Sequence, residues 1–168
     1  MSNRKAALDK LDAMGISYEL EEHPAAYTIE DIDSLGLAHP QWVAKNLFLR
    51  DQKGKRHFLV TLNGHKRADL TEIADHLGSG KLSFASAQRL EKYLGLVQGE
   101  VTPLGVLHDA DAAVEVVFDR DLAKQPKVGV HPCDNTATLY LRFEDLLRVV
   151  EENGNDVIYL NLKGESHA

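Results

Sequence analysis

The sequence of 168 residues has little cysteine, no long apolar run and no apolar leader at its N-terminus. Its one cysteine, Cys133, excludes an internal disulfide framework and fits a reducing compartment. No stretch approaches the ~18 apolar residues of a membrane-spanning helix, so we expect no membrane partner. The length corresponds to about one domain. These absences predict a single cytoplasmic domain over residues 1–168.

Metal and nucleotide motifs are also missing. The sequence has eight histidines, but no pair shows HExxH or HxH spacing, and no acidic residue completes such a motif. The segment 78–81 lacks the leading glycine of a phosphate-binding loop. Cys133 lies two residues after His131, yet Pro132 between them favours a turn over a strand that would align a cysteine–histidine pair. We therefore expect no metal, no cofactor and a structural role for Cys133.

Charge is unevenly distributed along the chain. The net charge of −7 argues against a protein that coats nucleic acid nonspecifically. Residues 45–67, however, carry seven basic side chains and one acidic side chain. This basic strip would suit one segment of phosphate backbone, and it would equally suit a solvated hairpin with a charged turn. Within it, Arg50, Lys66 and Arg67 are our candidate nucleic-acid contacts.

Helices and short strands alternate without the regular βαβ order of a doubly wound sheet. Helical spacing and capping residues predict helices at Ser2–Met14, Ile29–Leu35, Asp69–Leu77, Ala87–Leu94 and Phe143–Glu152. Apolar and β-branched runs predict strands at Ile16–Leu20, Val43–Arg50, His57–Asn63, Lys81–Phe84, Val114–Phe118, Val128–His131, Thr136–Leu141 and Asp156–Leu160. We predict a mixed α/β (α+β) fold, in which helices surround a curled, barrel-like, mixed or antiparallel sheet.

Three segments carry residues that are unusual for their positions. Lys45 and Asn46 open an otherwise apolar strand, where a buried ammonium is costly unless it is paired or lies at a sheet edge. Two glycines and Pro103 fix a tight backbone path over residues 99–105. Gly129 permits close backbone approach just before His131, where exposed amides could bind an oxyanion. Each segment alone is also consistent with an ordinary turn.

Taken with His23-Pro24, Tyr27-Thr28 and 135–138, these segments resemble the free-standing aminoacyl-tRNA editing proteins. That superfamily includes the YbaK proteins and the editing domain of bacterial prolyl-tRNA synthetase. The match covers about residues 16–160 and is most similar to the alanyl-tRNA(Pro) deacylase branch. The resemblance implies a barrel-like mixed sheet, and metal-independent hydrolysis of the ester that joins alanine to mischarged proline tRNA.

The resemblance also implies roles for individual residues. Lys45 would hold the terminal phosphate or the aminoacyl group as a point charge, and Asn46 would orient the substrate. Backbone amides near Gly129 and His131 would stabilise the oxyanion, while His131 or the tRNA's own 2′-hydroxyl would assist the attacking water. Our candidates for a pocket that admits alanine and excludes proline are Tyr27, Ile29, Ile32, Leu35, Thr102, Pro103 and Val130.

Two alternatives stay open at this point. The chain could be a deacylase for another small amino acid, such as serine or cysteine, because pocket shape decides that choice. It could also be a noncatalytic RNA-binding module of the same fold. The expected partners are the acceptor end of tRNA, through Arg50, Lys66 and Arg67, and prolyl-tRNA synthetase in a transient association. The sequence does not predict an oligomeric state.

Overall fold

The computed structural model describes residues 3–163, so Ser2 and His167 lie outside the described part. Its α-helices are α1 Asn3–Ala13, α2 Ile29–Ser34, α3 Leu70–Leu77, α4 Ala87–Leu94 and α5 Phe143–Asn153. Its strands are β1 Glu19–Glu22, β2 Ala44–Asp51, β3 His57–Asn63, β4 Leu82–Phe84, β5 Val114–Asp119, β6 Val128–Val130, β7 Ala137–Leu141 and β8 Val157–Leu160. Short 3₁₀ helices cover Pro40–Trp42, Pro103–His108 and Arg120–Lys124.

The strands pair as two sheets. The larger has the order β4-β2-β3-β5-β8, antiparallel from β4 to β3 and parallel from β3 to β8. The smaller has the order β1-β7-β6 and is antiparallel throughout. One parallel bridge between Val43 and Gly129 links them. The predicted mixed class is confirmed, whereas the one curled sheet that we expected is divided into these two.

Capping residues place three of the helices where the sequence predicts them. Thr28 and Asp31 form a reciprocal capping box at the start of α2. Asp69 accepts hydrogen bonds from two backbone N–H groups of the first turn of α3, and Ser86 caps α4 in the same way. Gly78 ends α3 in the left-handed conformation that glycine adopts without strain. Local side-chain chemistry therefore fixes these boundaries.

The first strand and the loop after residue 99 differ from the prediction. The strand expected at Ile16–Leu20 lies at Glu19–Glu22, because pairing with β7 selects these residues. Ile16 is instead buried beside the end of α1, with its N–H bonded to Leu11. The turn-rich segment that includes Pro103 contains a 3₁₀ helix, which Thr102 caps locally. In the first strand, by contrast, pairing with a segment distant in sequence overrides the local pattern.

The core surrounds the larger sheet on both faces. Helices α1, α4 and α5 pack with β5 on one face, while α3 packs on the other. Adjacent residues Leu59 and Val60 of β3 belong to opposite faces, and both are fully buried. A third, smaller cluster, including Ile32, Val43 and Tyr140, holds α2 against the start of β2. β2 and β3 thus form a rigid frame beside α2.

Candidate active site

A cleft of about 530 Å³ opens at the start of β2. Strand β2 contributes one wall, α2 another, and the loops around residues 65, 99 and 131 complete it. The cleft brings together residues that are far apart in sequence. The predicted site residues along its wall are Tyr27, Ile29, Ile32, Lys45, Asn46, Lys66, Arg67 and His131.

The cleft exists because one edge of β2 is left uncovered there. Strand β3 covers the opposite edge from Ala44 to Arg50, whereas β4 pairs only with residues 49–51. Val43 accepts a bond from Gly64 of the β3 side, and Phe48 accepts one from Ala85 on the other side. Because bonding alternates along an antiparallel strand, the backbone N–H and C=O of Asn46 point away from β3 into this gap. The backbone itself therefore offers a donor and an acceptor to the cleft.

Lys45 supplies a positive charge that is fixed in place. Its Nζ donates a hydrogen bond to the Lys66 carbonyl at 2.8 Å, and among residues 3–163 no acceptor takes its other two protons. Burial lowers the pKa of Lys45, and the charge of Arg67 adds to that effect, while the carboxylate of Glu30 opposes it. An ammonium held in this way suits a carbonyl or phosphate oxygen.

Asn46 is oriented by a buried threonine. The Thr61 hydroxyl, on the paired residue of β3, donates to Asn46 Oδ1 at 2.7 Å. Thr61 is fully buried. Within residues 3–163 the Asn46 Nδ2 group has no hydrogen-bond acceptor, so the amide is positioned with its two donors available.

His131 presents a ring nitrogen that can accept a proton. Its Nδ1 lies 3.0 Å from the Ala137 carbonyl, and since a carbonyl only accepts, Nδ1 carries the hydrogen. Burial lowers the pKa of His131, partly opposed by this bond, which favours the neutral ring. Nε2 has no partner within residues 3–163, and no fully buried side-chain nitrogen or oxygen there is unpaired. Nε2 therefore reaches the open cleft.

Four predicted residues lie behind the cleft. Gly129 and Val130 are buried in β6, and a Cβ on Gly129 would lie 3.1 Å from both Val43 and Tyr140. Glycine there allows β6 to meet β2. Thr102 and Pro103 are buried at the start of a 3₁₀ helix, so they support the adjacent loop. Other residues of the segments 99–105 and 129–132 line the cleft itself, namely Gly99, Val101 and His131.

The basic side chains of the strip at residues 45–67 have different partners in the structure. Arg50 lies at the far end of β2, where its guanidinium bonds to the carbonyls of Asp51 and Gln52. Lys66 Nζ bonds at 2.6 Å to both Asp119 and Asp121. Burial opposes its charge, yet these bonds raise the pKa of Lys66. Lys66 is thus engaged in an internal ion pair, and Arg67 is the exposed cation of the strip along the cleft.

Sequence reasoning missed the acidic side of the cleft. Glu30 and Asp33 of α2 line it, and Asp33 lies 3.1 Å from His65 Nε2. The helical spacing of Ile29 and Ile32 could have revealed them, because residues next to an inward-facing stripe flank the same opening.

Cys133 is not part of this arrangement. It is buried, and burial raises the pKa of its thiol to about 12, which keeps it protonated and a poor nucleophile. Among residues 3–163 no group of three histidine, cysteine or acidic side chains could hold a metal ion. His167, one of the eight histidines, lies outside this range.

Comparisons with known proteins find relatives over nearly the whole chain. The chain is 48% identical over 155 residues to the prolyl-tRNA editing protein ProX of Acetoanaerobium sticklandii. The alignment covers 92% of this chain and 94% of that protein. It is 39% identical over 166 residues to the bovine prolyl-tRNA synthetase associated domain-containing protein 1, with 94% of each chain covered. A solved candidate trans-editing enzyme for prolyl tRNA synthetase shares the fold, with a TM-score of 0.71, 22% identity and 99% of both chains covered.

A family model for the aminoacyl-tRNA editing domain matches residues 23–149, which include every residue of the cleft named above. The chain belongs to this family. None of the helices formed by residues 3–163 is long and apolar enough to span a membrane.

Proposed function

We propose that this protein edits tRNA in trans by hydrolysing the ester between alanine and the 3′-terminal adenosine of mischarged proline tRNA. The observation that carries the proposal is the convergence of Lys45, Asn46 and His131 on one cleft at the uncovered edge of β2. The name of the relative that is 48% identical supports prolyl-tRNA editing as the process.

The chemistry requires few groups. Water attacks the ester carbonyl carbon, the bond from that carbon to the ribose 3′ oxygen breaks, and the proton from water ends on that oxygen. Alanine and tRNA with a free 3′-hydroxyl are released. Lys45 and the Asn46 donors would stabilise the developing oxyanion. This step needs no metal ion.

Two acceptors could position the water, and the cleft is compatible with both. His131 Nε2 carries a lone pair, and the terminal 2′-hydroxyl of the tRNA lies beside the ester by its covalent structure. A substrate that ends in 2′-deoxyadenosine lacks the 2′-hydroxyl and therefore distinguishes the two acceptors. If hydrolysis of this substrate persists and depends on His131, the protein supplies the acceptor. If hydrolysis is lost, the hydroxyl supplies it.

A separate editing pocket can correct the weak discrimination between proline and alanine. A proline site cannot strongly reject the smaller alanine, since lost apolar contacts are worth only ~1–3 kcal/mol. A second pocket that excludes the larger ring can reject proline sterically. Ile29, Ile32 and Val101 give the cleft an apolar side for an alanine methyl group. A related deacylase for serine or cysteine would differ in this lining.

The deciding experiment charges tRNA(Pro) separately with alanine, proline, serine and cysteine and follows ester hydrolysis with chelator present. We expect rapid loss of alanine alone. Loss of serine or cysteine would move the specificity within the same chemistry, and chelator sensitivity would exclude the metal-free step. Salt-dependent tRNA binding without cleavage of any ester would instead identify a binding module. A transient association with prolyl-tRNA synthetase is part of the proposal, supported by the name of the bovine relative.

A further inference from the structure

An exposed aromatic ring lies at the mouth of the cleft. Tyr27 lines the opening and is 65% exposed, more than the other exposed large apolar side chains of residues 3–163. A tyrosine ring this open offers most of its apolar surface to a ligand, and covering that surface on binding would be favourable. Tyr27 lies on the cleft wall, as our assignment of it to the substrate site requires, and its exposure places its ring at the mouth.

The backbone that carries the ring is held in place on both sides. The Tyr27 N–H donates to Asp31 Oδ2 at 2.9 Å, and the N–H of the preceding Ala26 donates to the Asn135 carbonyl at 3.0 Å. The capping box of α2 begins at the next residue, Thr28. The backbone on both sides of Tyr27 is therefore fixed before any ligand arrives, which lowers the entropy cost of binding.

A glycine supports one edge of the ring. A Cβ on Gly99 would lie 2.5 Å from Tyr27 Cδ1 and 3.1 Å from Cε1, so only glycine permits this contact. Gly99 also has a φ of +90°, which side-chain-bearing residues rarely adopt. Both residues line the cleft, so its mouth offers an apolar shelf made of Tyr27 and Gly99.

We propose that this shelf is the stacking platform for the terminal base of the tRNA acceptor end. The inference rests on the proposed function, because the ester would occupy the end of the cleft near Lys45 and His131. The terminal adenine is attached to the same ribose and must leave through the mouth. Unpaired bases are recognised largely by stacking on aromatic side chains, and Tyr27 lines this opening.

The test uses fluorescence rather than activity. An uncharged acceptor-stem minihelix carries 2-aminopurine as its terminal base, whose fluorescence is quenched when it stacks. Wild type and Tyr27→Phe should quench it on binding. Tyr27→Leu should abolish most of the quenching and weaken binding about tenfold. Tyr159→Leu is the matched control, since Tyr159 is a partly exposed tyrosine on β8, where its ring lies beside Arg120.

The outcomes separate the two proposals. Unchanged quenching and affinity in Tyr27→Leu would overturn the platform, as would a wild-type protein that hydrolyses alanyl-tRNA(Pro) without quenching the terminal base. Equal losses in Tyr27→Leu and Tyr159→Leu would also overturn it. Quenching by wild type, with no hydrolysis of any charged tRNA, would uphold the platform and reject the proposed function.

Discussion

The two ends of β2 differ in what covers them, although one strand forms both. At residues 49–51, β4 pairs along the edge that β3 leaves free, and Phe48 accepts a further bond from Ala85. Between this pairing and the Val43–Gly129 bridge, residues 45–47 face the cleft. Each end carries a basic side chain, Arg50 or Lys45, but Arg50 binds carbonyls of its own turn while Lys45 points its remaining donors into a cavity.

Two histidines differ in the same way, in whether the protein occupies their second ring nitrogen. Burial lowers the pKa of both His57 and His131, which disfavours the protonated ring in each. His57 Nε2 accepts a bond from Arg89 at 2.9 Å, so the protein occupies that nitrogen. His131 Nε2 is left to the cleft. The comparison teaches that a charged or titratable side chain is available to a ligand where the fold leaves one of its hydrogen-bonding groups without a protein partner.

The largest difference between the two ends of β2 should appear when Lys45 and Arg50 are each replaced by alanine. Lys45→Ala should slow hydrolysis of alanyl-tRNA(Pro) by about 100-fold or more, because an oxyanion donor is lost. Arg50→Ala should stay within about twofold of wild type, since its guanidinium binds local carbonyls. Single-turnover rates measure both, and thermal unfolding checks that each variant folds. Equal losses in the two variants would refute a special role for the open end.

Lys66 should prove structural despite its place in the basic strip. Lys66→Met leaves Asp119, whose side chain is 1% exposed, without its cation, and we expect a loss of about 3 kcal/mol in the free energy of unfolding. The control Lys124→Met removes an exposed partner of Asp121 and should cost less than ~1 kcal/mol. Urea unfolding compares them. A stable Lys66→Met protein with weakened tRNA binding would restore our original assignment of Lys66 to tRNA contact.

Thr61 should act on the reaction through Asn46. Thr61→Val keeps the shape but removes the hydroxyl that orients Asn46, so kcat should fall about tenfold with little change in KM. Thr61→Ser keeps the hydroxyl and should restore the rate. Steady-state kinetics on alanyl-tRNA(Pro) distinguishes the two. If both variants lose activity equally, packing rather than the hydrogen bond matters.

The smallest effect should be on stability at mildly acidic pH. His57 and His131 resist protonation in the folded state, whereas in the unfolded chain they bind protons near pH 6.5. The unfolding free energy should therefore be constant above about pH 7 and fall as the pH drops from there toward 5. Urea titrations across this range measure it. A flat profile would mean that neither ring is held neutral.

Local chemistry made much of the fold predictable. Capping residues at Thr28, Asp69 and Ser86 placed three helices. Lys45-Asn46, at the head of an apolar strand, pointed to residues that line the candidate cleft. Partners distant in sequence were not predictable. Nothing near Lys66 indicates that Asp119, 53 residues away, takes its ammonium. The division into two sheets likewise depends on where β6 meets β2 at Gly129.

The most direct test of the central claim is to locate the ligand on the protein. An NMR titration of ¹⁵N-labelled protein would use 3′-alanylamino-3′-deoxyadenosine, whose amide replaces the labile ester. We predict shifts of the backbone amides of Asn46, Gly99 and His131. The amides of Arg50, at the closed end of β2, and of His57, its partner on β3, should not shift. Shifts confined to the closed end, or to β4, would contradict the account.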